Sequence, residues 1–335
     1  MIYNIKLQDL VQKNKKYTLY YLKKNLINIK TNEQWTKMIN ENKNNYISQK
    51  IINNKLIEFE NNKLNHIFRN NEPNIIIICS GQSNSGGWGS TYNPKLDIDQ
   101  PNENILSYNI DEKKWVLADL TNNSLGSINQ NRLNNQNSIA FQYAKHLVQN
   151  NPLIKVGLIC LSYANRPIGN WITYNKEDIY YKENQRLINS IPKKENEGIY
   201  FEKIKELYEE SISKLRNNKN LLHIVIWHQG ETDMIFKSNL EYYEASLIKL
   251  INQFKELTNN CLLGFIGGTI LNNKNNKFCS DEINSIIRKE VDKLYNYAEL
   301  SNLTKADELH FTSEATRIAG KLYYEAYENL VNKFK

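Results

Sequence analysis

Cysteine is scarce in this 335-residue chain. The four present, Cys79, Cys160, Cys261 and Cys279, form no C-x-x-C pair and are too few to staple so long a chain, so a disulfide scaffold is excluded and the thiols are read as free. Long apolar runs are absent as well. The longest, such as residues 75–79, have the length of a strand and fall far short of the ~18 residues that a membrane-spanning helix needs. The opening residues, MIYNIKLQDLVQKNKKYT, hold no uninterrupted apolar segment and no small-residue cleavage site, so the expectation is a cytosolic chain without a secretory signal. Neither G-x-x-x-x-G-K-[ST], G-x-G-x-x-G nor H-E-x-x-H occurs, and no His/Cys/Asp group has metal-ligand spacing. No metal and no resident cofactor is therefore expected.

Acidic residues are outnumbered at one end only. Residues 1–72 carry thirteen Lys and Arg against six Asp and Glu, a net +7 that equals the formal charge of the whole chain and leaves the rest neutral. This segment holds an amphipathic stretch at residues 7–22 and short Ile-rich runs but no catalytic motif. We read it as a basic accessory extension, either a solvated surface against the main domain or a docking surface for an anionic polymer, a membrane headgroup or a protein. The abundance of Asn, Lys and Ile reads as a compositional bias without functional meaning. Nucleic acid is not an expected partner.

From residue 73 onward, to residue 335, short apolar runs alternate with longer amphipathic stretches. The runs lie at 74–80, 155–162, 222–227, 262–267 and, less regularly, 297–300; the helical stretches lie at 138–148, 201–215, 240–257, 281–294 and 313–330. Strands rich in Ile, Val and Leu without polar alternation are buried on both faces, which predicts a central parallel sheet in a three-layer α/β sandwich. In such folds ligands bind beyond the carboxyl ends of the strands.

Three strand-end or loop segments carry chemistry. After the first run comes Cys79-Ser80-Gly81-Gln82-Ser83-Asn84-Ser85-Gly86-Gly87-Trp88-Gly89, a turn that can expose a serine hydroxyl beside backbone N–H groups. After the third comes Trp227-His228-Gln229-Gly230-Glu231-Thr232-Asp233, which alone could be no more than a capped loop. Ahead of the last helix stands Asp307-Glu308-Leu309-His310-Phe311, followed by an expected capping box in which Thr312 or Ser313 leads into the helix. An Asp and a His three apart can serve one serine, the carboxylate holding the imidazole tautomer and the imidazole taking the hydroxyl proton.

In combination and order, these segments resemble the SGNH hydrolase superfamily, and within it the sialate O-acetylesterase-like carbohydrate esterases, over residues 73–335. The resemblance implies a flavodoxin-like SGNH fold, Ser83 as nucleophile, His310 as general base and acid, and Asp307 as its orienting partner. It implies the side-chain amide of Gln229 and the N–H of Ser83 as oxyanion donors, with Glu231 bracing the site and Gln82 and Asn84 fixing the turn. One block departs. Where relatives tend to carry a Gly-Gly-Thr or Gly-Gly-Ser turn, this chain reads Ala164-Asn165-Arg166-Pro167-Ile168-Gly169-Asn170-Trp171. The second oxyanion N–H would then come from Ala164 or Asn165, and Asn tolerates the left-handed backbone better than most residues. Arg166 reads equally as a bidentate partner for a substrate carboxylate and as half of a salt bridge. Trp88 and Trp171 are candidates for stacking on a sugar, or for packing.

The function that follows is removal of an acetyl ester from a carbohydrate, a sialic-acid-like one among the options, through an acyl-serine. The same acyl-serine could instead pass acetyl from acetyl-CoA, as co-substrate, to a sugar hydroxyl. A non-catalytic carbohydrate-binding protein is the third reading, against which Ser83, Asp307 and His310 all stand.

Overall fold

The computed structural model describes residues 72–121, 136–152, 154–172, 199–216, 218, 221–259, 262–273 and 277–333. The basic extension lies outside them, apart from Glu72. Among the described residues, seven strands form one sheet: β1 (Ile75–Gly81), β2 (Ile105–Asn109), β3 (Lys114–Leu117), β4 (Val156–Ser162), β5 (Leu222–His228), β6 (Leu262–Gly268) and β7 (Asn296–Ala298), in the order β3-β2-β4-β1-β5-β6-β7. All pairings are parallel except β2 with β3. Every residue of β1, β4, β5 and β6 is buried, as their largely apolar composition, without polar alternation, requires of a sheet covered on both faces.

Among the described residues, six α-helices supply the cover: α1 (Ile139–Asn150), α2 (Ile199–Ser213), α3 (Glu231–Phe236), α4 (Leu240–Leu257), α5 (Lys277–Leu294) and α6 (Ser313–Lys333). The alternation of β6 assigns them to layers. A Cβ added at Gly264 or Gly268 would meet Leu330 or Tyr323 of α6, whereas one at Gly267 would meet Val291 of α5. On the α5 side Phe265 packs on Phe254 of α4, which meets Phe201 of α2, with ring centroids 6.0 and 5.2 Å apart. On the other side α6 lies against α1, Gly320 approaching Gln142 and Tyr324 meeting Tyr143 edge-on. The three-layer sandwich expected from the sequence is the fold.

Five of the seven strands coincide with the apolar runs, though β7 ends at Ala298, short of the expected 300. The β2–β3 hairpin had no such signal. Lys114 and Leu117 at its rim are exposed and its turn is polar, the Asn109 side chain accepting from the N–H of Asp111 and Glu112 at 3.0 Å each. The cap ahead of α6 is Thr312, whose hydroxyl accepts from Ala315 N–H at 3.1 Å; the residue at that third position is Ala, so the reciprocal half of a capping box is missing.

Candidate active site

The chain enters the sheet at β1, and β4 and β5 flank that strand on opposite sides. The reversal of direction between them opens a crevice at their carboxyl ends. Three loops converge there: residues 82–90 after β1, 163–172 after β4, and Gln229 with α3 after β5. The loop between β7 and α6 joins them.

Gly81 ends β1 at φ +134°, and a Cβ there would come within 2.0 Å of the His228 carbonyl oxygen. The absence of a side chain lets the turn press against β5, where Gln82 N–H donates to that same carbonyl at 3.0 Å. The chain then winds tightly, Gly86 N–H reaching Gln82 O and Trp88 N–H reaching Ser83 O. The Ser85 hydroxyl lies 2.6 Å from Gln82 O and 2.7 Å from the Ser162 hydroxyl of β4. Gln82 is buried and its side chain accepts from Thr232 N–H, which ties the turn to α3. Ser83 is left half-buried, on the crevice side.

Its hydroxyl oxygen lies 3.0 Å from His310 Nε2, while His310 Nδ1 lies 2.7 Å from Asp307 Oδ2. The other oxygen of Asp307 accepts from the N–H groups of Leu309 and His310, both at 2.8 Å. Partial burial pushes this carboxyl up, but the bonds from Leu309 N–H, the His310 ring and His310 N–H outweigh it and hold the group below the usual aspartate range. An ionised Asp307 takes Nδ1–H, which leaves Nε2 free to accept the serine proton. The indole of Trp88, 44% exposed, stands with its ring centroid 6.1 Å from that of His310 and walls one side of the crevice.

In the β4 loop Asn165 sits in the left-handed region at φ +56°, a backbone that its residue type accepts more readily than most. Among the described residues, the N–H groups of Ser83, Ala164 and Asn165 donate to no protein acceptor, as oxyanion donors must not. Arg166 is half-buried; its Nε donates to the Tyr200 hydroxyl at 2.6 Å and its guanidinium carbon lies 5.6 Å from that ring's centre.

Two expectations are corrected. Gln229 is fully buried, and its amide N–H groups go to the Arg166 carbonyl at 3.1 Å and to the Asp233 carboxylate. No donor remains for an oxyanion; the side chain is a strut between the β4 loop and α3. Trp171 does not line the crevice. The 3₁₀ turn Ile168–Trp171 folds it inward to complete burial, edge-on to Trp227 at 5.2 Å and beside Tyr200 and Tyr163.

Behind the crevice runs a buried polar layer that sequence reasoning only partly found. Glu231 Oε1 lies 3.0 Å from His228 Nε2 and accepts from Asn84 Nδ2 at 2.7 Å. Burial pushes the Glu231 carboxyl up, but the His228 ring and the bonds from His228 and Asn84 prevail and hold it below the usual range. Asp233 accepts from Ile168 N–H at 2.9 Å, and its burial raises its carboxyl to about 6. A largely buried ion pair, Asp99 with Arg317 of α6, ties down the loop that follows the nucleophile turn, at 2.5 Å. Asp233 carried a faint signal, four residues past Gln229 and so one turn away; Asp99 carried none.

A family model for carbohydrate esterases, described as sialic acid-specific acetylesterase, matches residues 73–329. No curated protein matches the chain. Among solved structures, an Arabidopsis thaliana protein is similar at 20% identity with a TM-score of 0.58, over 77% of this chain and 99% of that one. A carbohydrate acetylesterase from Xanthomonas citri is similar at 14% identity with a TM-score of 0.54, over 77% of this chain and 57% of that one. At these identities the likeness is one of fold.

Proposed function

The chain belongs to the sialic acid-specific acetylesterase family of carbohydrate esterases, and from that premise we propose that it removes acetyl groups from a sugar through an acetyl-Ser83 intermediate. The observation that carries the reading is the continuous hydrogen-bonded line from Ser83 Oγ through His310 to Asp307. Ser83 Oγ attacks the acetyl carbonyl carbon as its proton passes to His310 Nε2. The oxyanion is received by the N–H of Ser83 and by N–H groups at Ala164 and Asn165. The imidazolium, steadied by Asp307, returns the proton to the departing sugar oxygen, and the C–O bond breaks. Water then attacks the acetyl carbon, gives a proton to Nε2, and acetate leaves as Ser83 recovers its hydrogen.

Trp88 offers a flat apolar face to a sugar ring, and Arg166 offers a cation beside the β4 loop for the carboxylate of a sialic-acid-like substrate. The family, one of acetylesterases, speaks for water, not a second sugar, as acceptor. The test is acetate release from an aryl acetate, then from O-acetylated sialic acid and an O-acetylated neutral sugar, by the wild type and Ser83→Ala. Release by the wild type alone, with Arg166→Ala raising KM for the acidic sugar only, supports the reading. Turnover that survives Ser83→Ala refutes it.

A further inference from the structure

Asp307 and His310 sit on a loop that is exposed over much of its length. Within the loop, Ala306 N–H donates to His310 O at 2.8 Å and Thr312 N–H to Thr304 O at 3.1 Å, which closes it on itself without joining it to Ser83. Beside the Ser83–His310 contact itself, the side chain of Asn84 links the loop to the nucleophile turn. Its Nδ2 donates to Leu309 O at 2.9 Å and its Oδ1 accepts from Phe311 N–H at 3.0 Å. One amide, on the residue after the nucleophile, therefore grips the main chain on both sides of His310. Only one orientation of that amide fits, because Phe311 N–H needs an acceptor while Leu309 O and Glu231 both need a donor. Glu231, first residue of α3, takes the second Nδ2 hydrogen at 2.7 Å and holds the amide plane.

We infer that Asn84 is the positioning residue of the acid–base histidine: it fixes His310 Nε2 against Ser83 Oγ by clamping residues 309 and 311, and Glu231 locks the clamp. The inference rests on the esterase reading above and deepens it. Asn84 does more than shape its own turn, the role its place in the motif first suggested. Its amide is 1% exposed and engaged on three sides, so it acts through the loop and not on substrate. A misplacement of about 1 Å between reacting groups can cost on the order of 10²-fold in rate without touching substrate affinity.

Asn84→Asp tests it, since the carboxylate is isosteric and still accepts from Phe311 N–H but cannot donate to Leu309 O or Glu231. With an aryl acetate as substrate and the full chain as the enzyme, kcat should fall about 10²-fold, with KM within about threefold of the wild type. In protein with ¹⁵N-labelled histidine, the His310 ring shifts should move from a single Nδ1–H tautomer toward a mixture. Wild-type kcat, a loss wholly in KM, or unaltered ring shifts would each overturn the inference. If Asn84→Asp does not fold, Glu231→Gln decides: it keeps an acceptor for Asn84 but removes the charge, and should lower kcat about tenfold at constant KM, whereas unchanged kcat sinks the proposal. Turnover by the wild type separates the two claims. If the wild type itself releases no acetate, the esterase reading falls, and the ring shifts alone then judge whether Asn84 holds His310.

Discussion

The protein contains two histidine–carboxylate pairs with a three-residue spacing, and they occupy opposite environments. His228 and Glu231 meet at 3.0 Å with side-chain exposures of 0% and 2%, whereas His310 and Asp307 meet at 2.7 Å with 17% and 57%. In both, a carboxylate fixes a ring through one nitrogen; the difference lies at the other nitrogen. His310 presents it to a serine hydroxyl in an open crevice, while His228 Nδ1 faces the Tyr323 hydroxyl at 3.4 Å, itself bonded to Trp227 O. Spacing makes a rigid imidazole, and access makes it a proton carrier. The buried pair spends the same device on architecture.

The contrast breaks first, and by the largest margin, if the exposed pair is not the catalytic one. Ser83→Ala and His310→Ala should each lower kcat by roughly 10³- to 10⁶-fold while leaving the thermal midpoint nearly unchanged, and Asp307→Asn should cost somewhat less. Steady-state kinetics with an aryl acetate, beside a melting curve, is the check; near-wild-type turnover in either of the first two ends the assignment.

Removing a partner from the buried pair should have the opposite signature. His228→Ala leaves the buried Glu231 carboxylate with the Asn84 amide but without its imidazole partner, and the loss of one partner from a buried pair typically costs about 3–5 kcal/mol, read as a drop in the urea midpoint. Asp307→Ala, at a site open to water, should cost less than about 1 kcal/mol. Equal losses in the two variants would erase the distinction.

A third carboxyl sharpens the picture by titrating. Burial raises Asp233 from an ordinary 3.8 to about 6, so the folded protein holds this proton more tightly than the unfolded chain. The stability contributed by that proton is complete below about pH 4 and lost as pH rises through 6. An asparagine in its place could still accept from Ile168 N–H without a buried charge. Asp233→Asn should therefore gain roughly 2–3 kcal/mol over the wild type at pH 8 and nothing at pH 4, by denaturant titration at both values. A gain that does not depend on pH would show that the carboxyl is not the cause.

The smallest expected effect belongs to the crevice wall. Trp88→Ala should raise KM for an acetylated sugar about three- to tenfold with little change in kcat or stability. A loss confined to kcat would place the indole against His310 as a support for the ring instead.

The architecture was legible wherever composition dominates. Runs such as Ile-Ile-Ile-Ile-Cys in β1 have few alternatives to a doubly covered strand, and the polar motifs that interrupt such runs mark the crevice. Asn165 was legible too, because few side chains accept the backbone it occupies. What stayed hidden depends on distance along the chain. Gln229 is drawn from the oxyanion by the carbonyl of Arg166, 63 residues earlier, and Asp99 finds Arg317 218 residues later. Trp171 stood in a strand-end loop where a sugar could stack, but its burial is set by Trp227 and Tyr200 on other elements. The β2–β3 hairpin was missed because a short, half-wetted edge carries no apolar run.

The strand order also bears on how the protein is made. β1 leaves the ribosome before either neighbour, for Ile75 pairs with Val156 on one side and with Leu222 on the other. At translation rates of about 5–20 residues per second, its second edge waits roughly 7–30 s for a partner. Throughout that interval four consecutive isoleucines, without a charge or a proline among them, form an open template for a neighbouring chain. The strand that delivers the nucleophile thus needs shielding from neighbouring chains during synthesis, and a lower expression level, which leaves fewer such chains nearby while that edge is open, should raise the yield of folded protein.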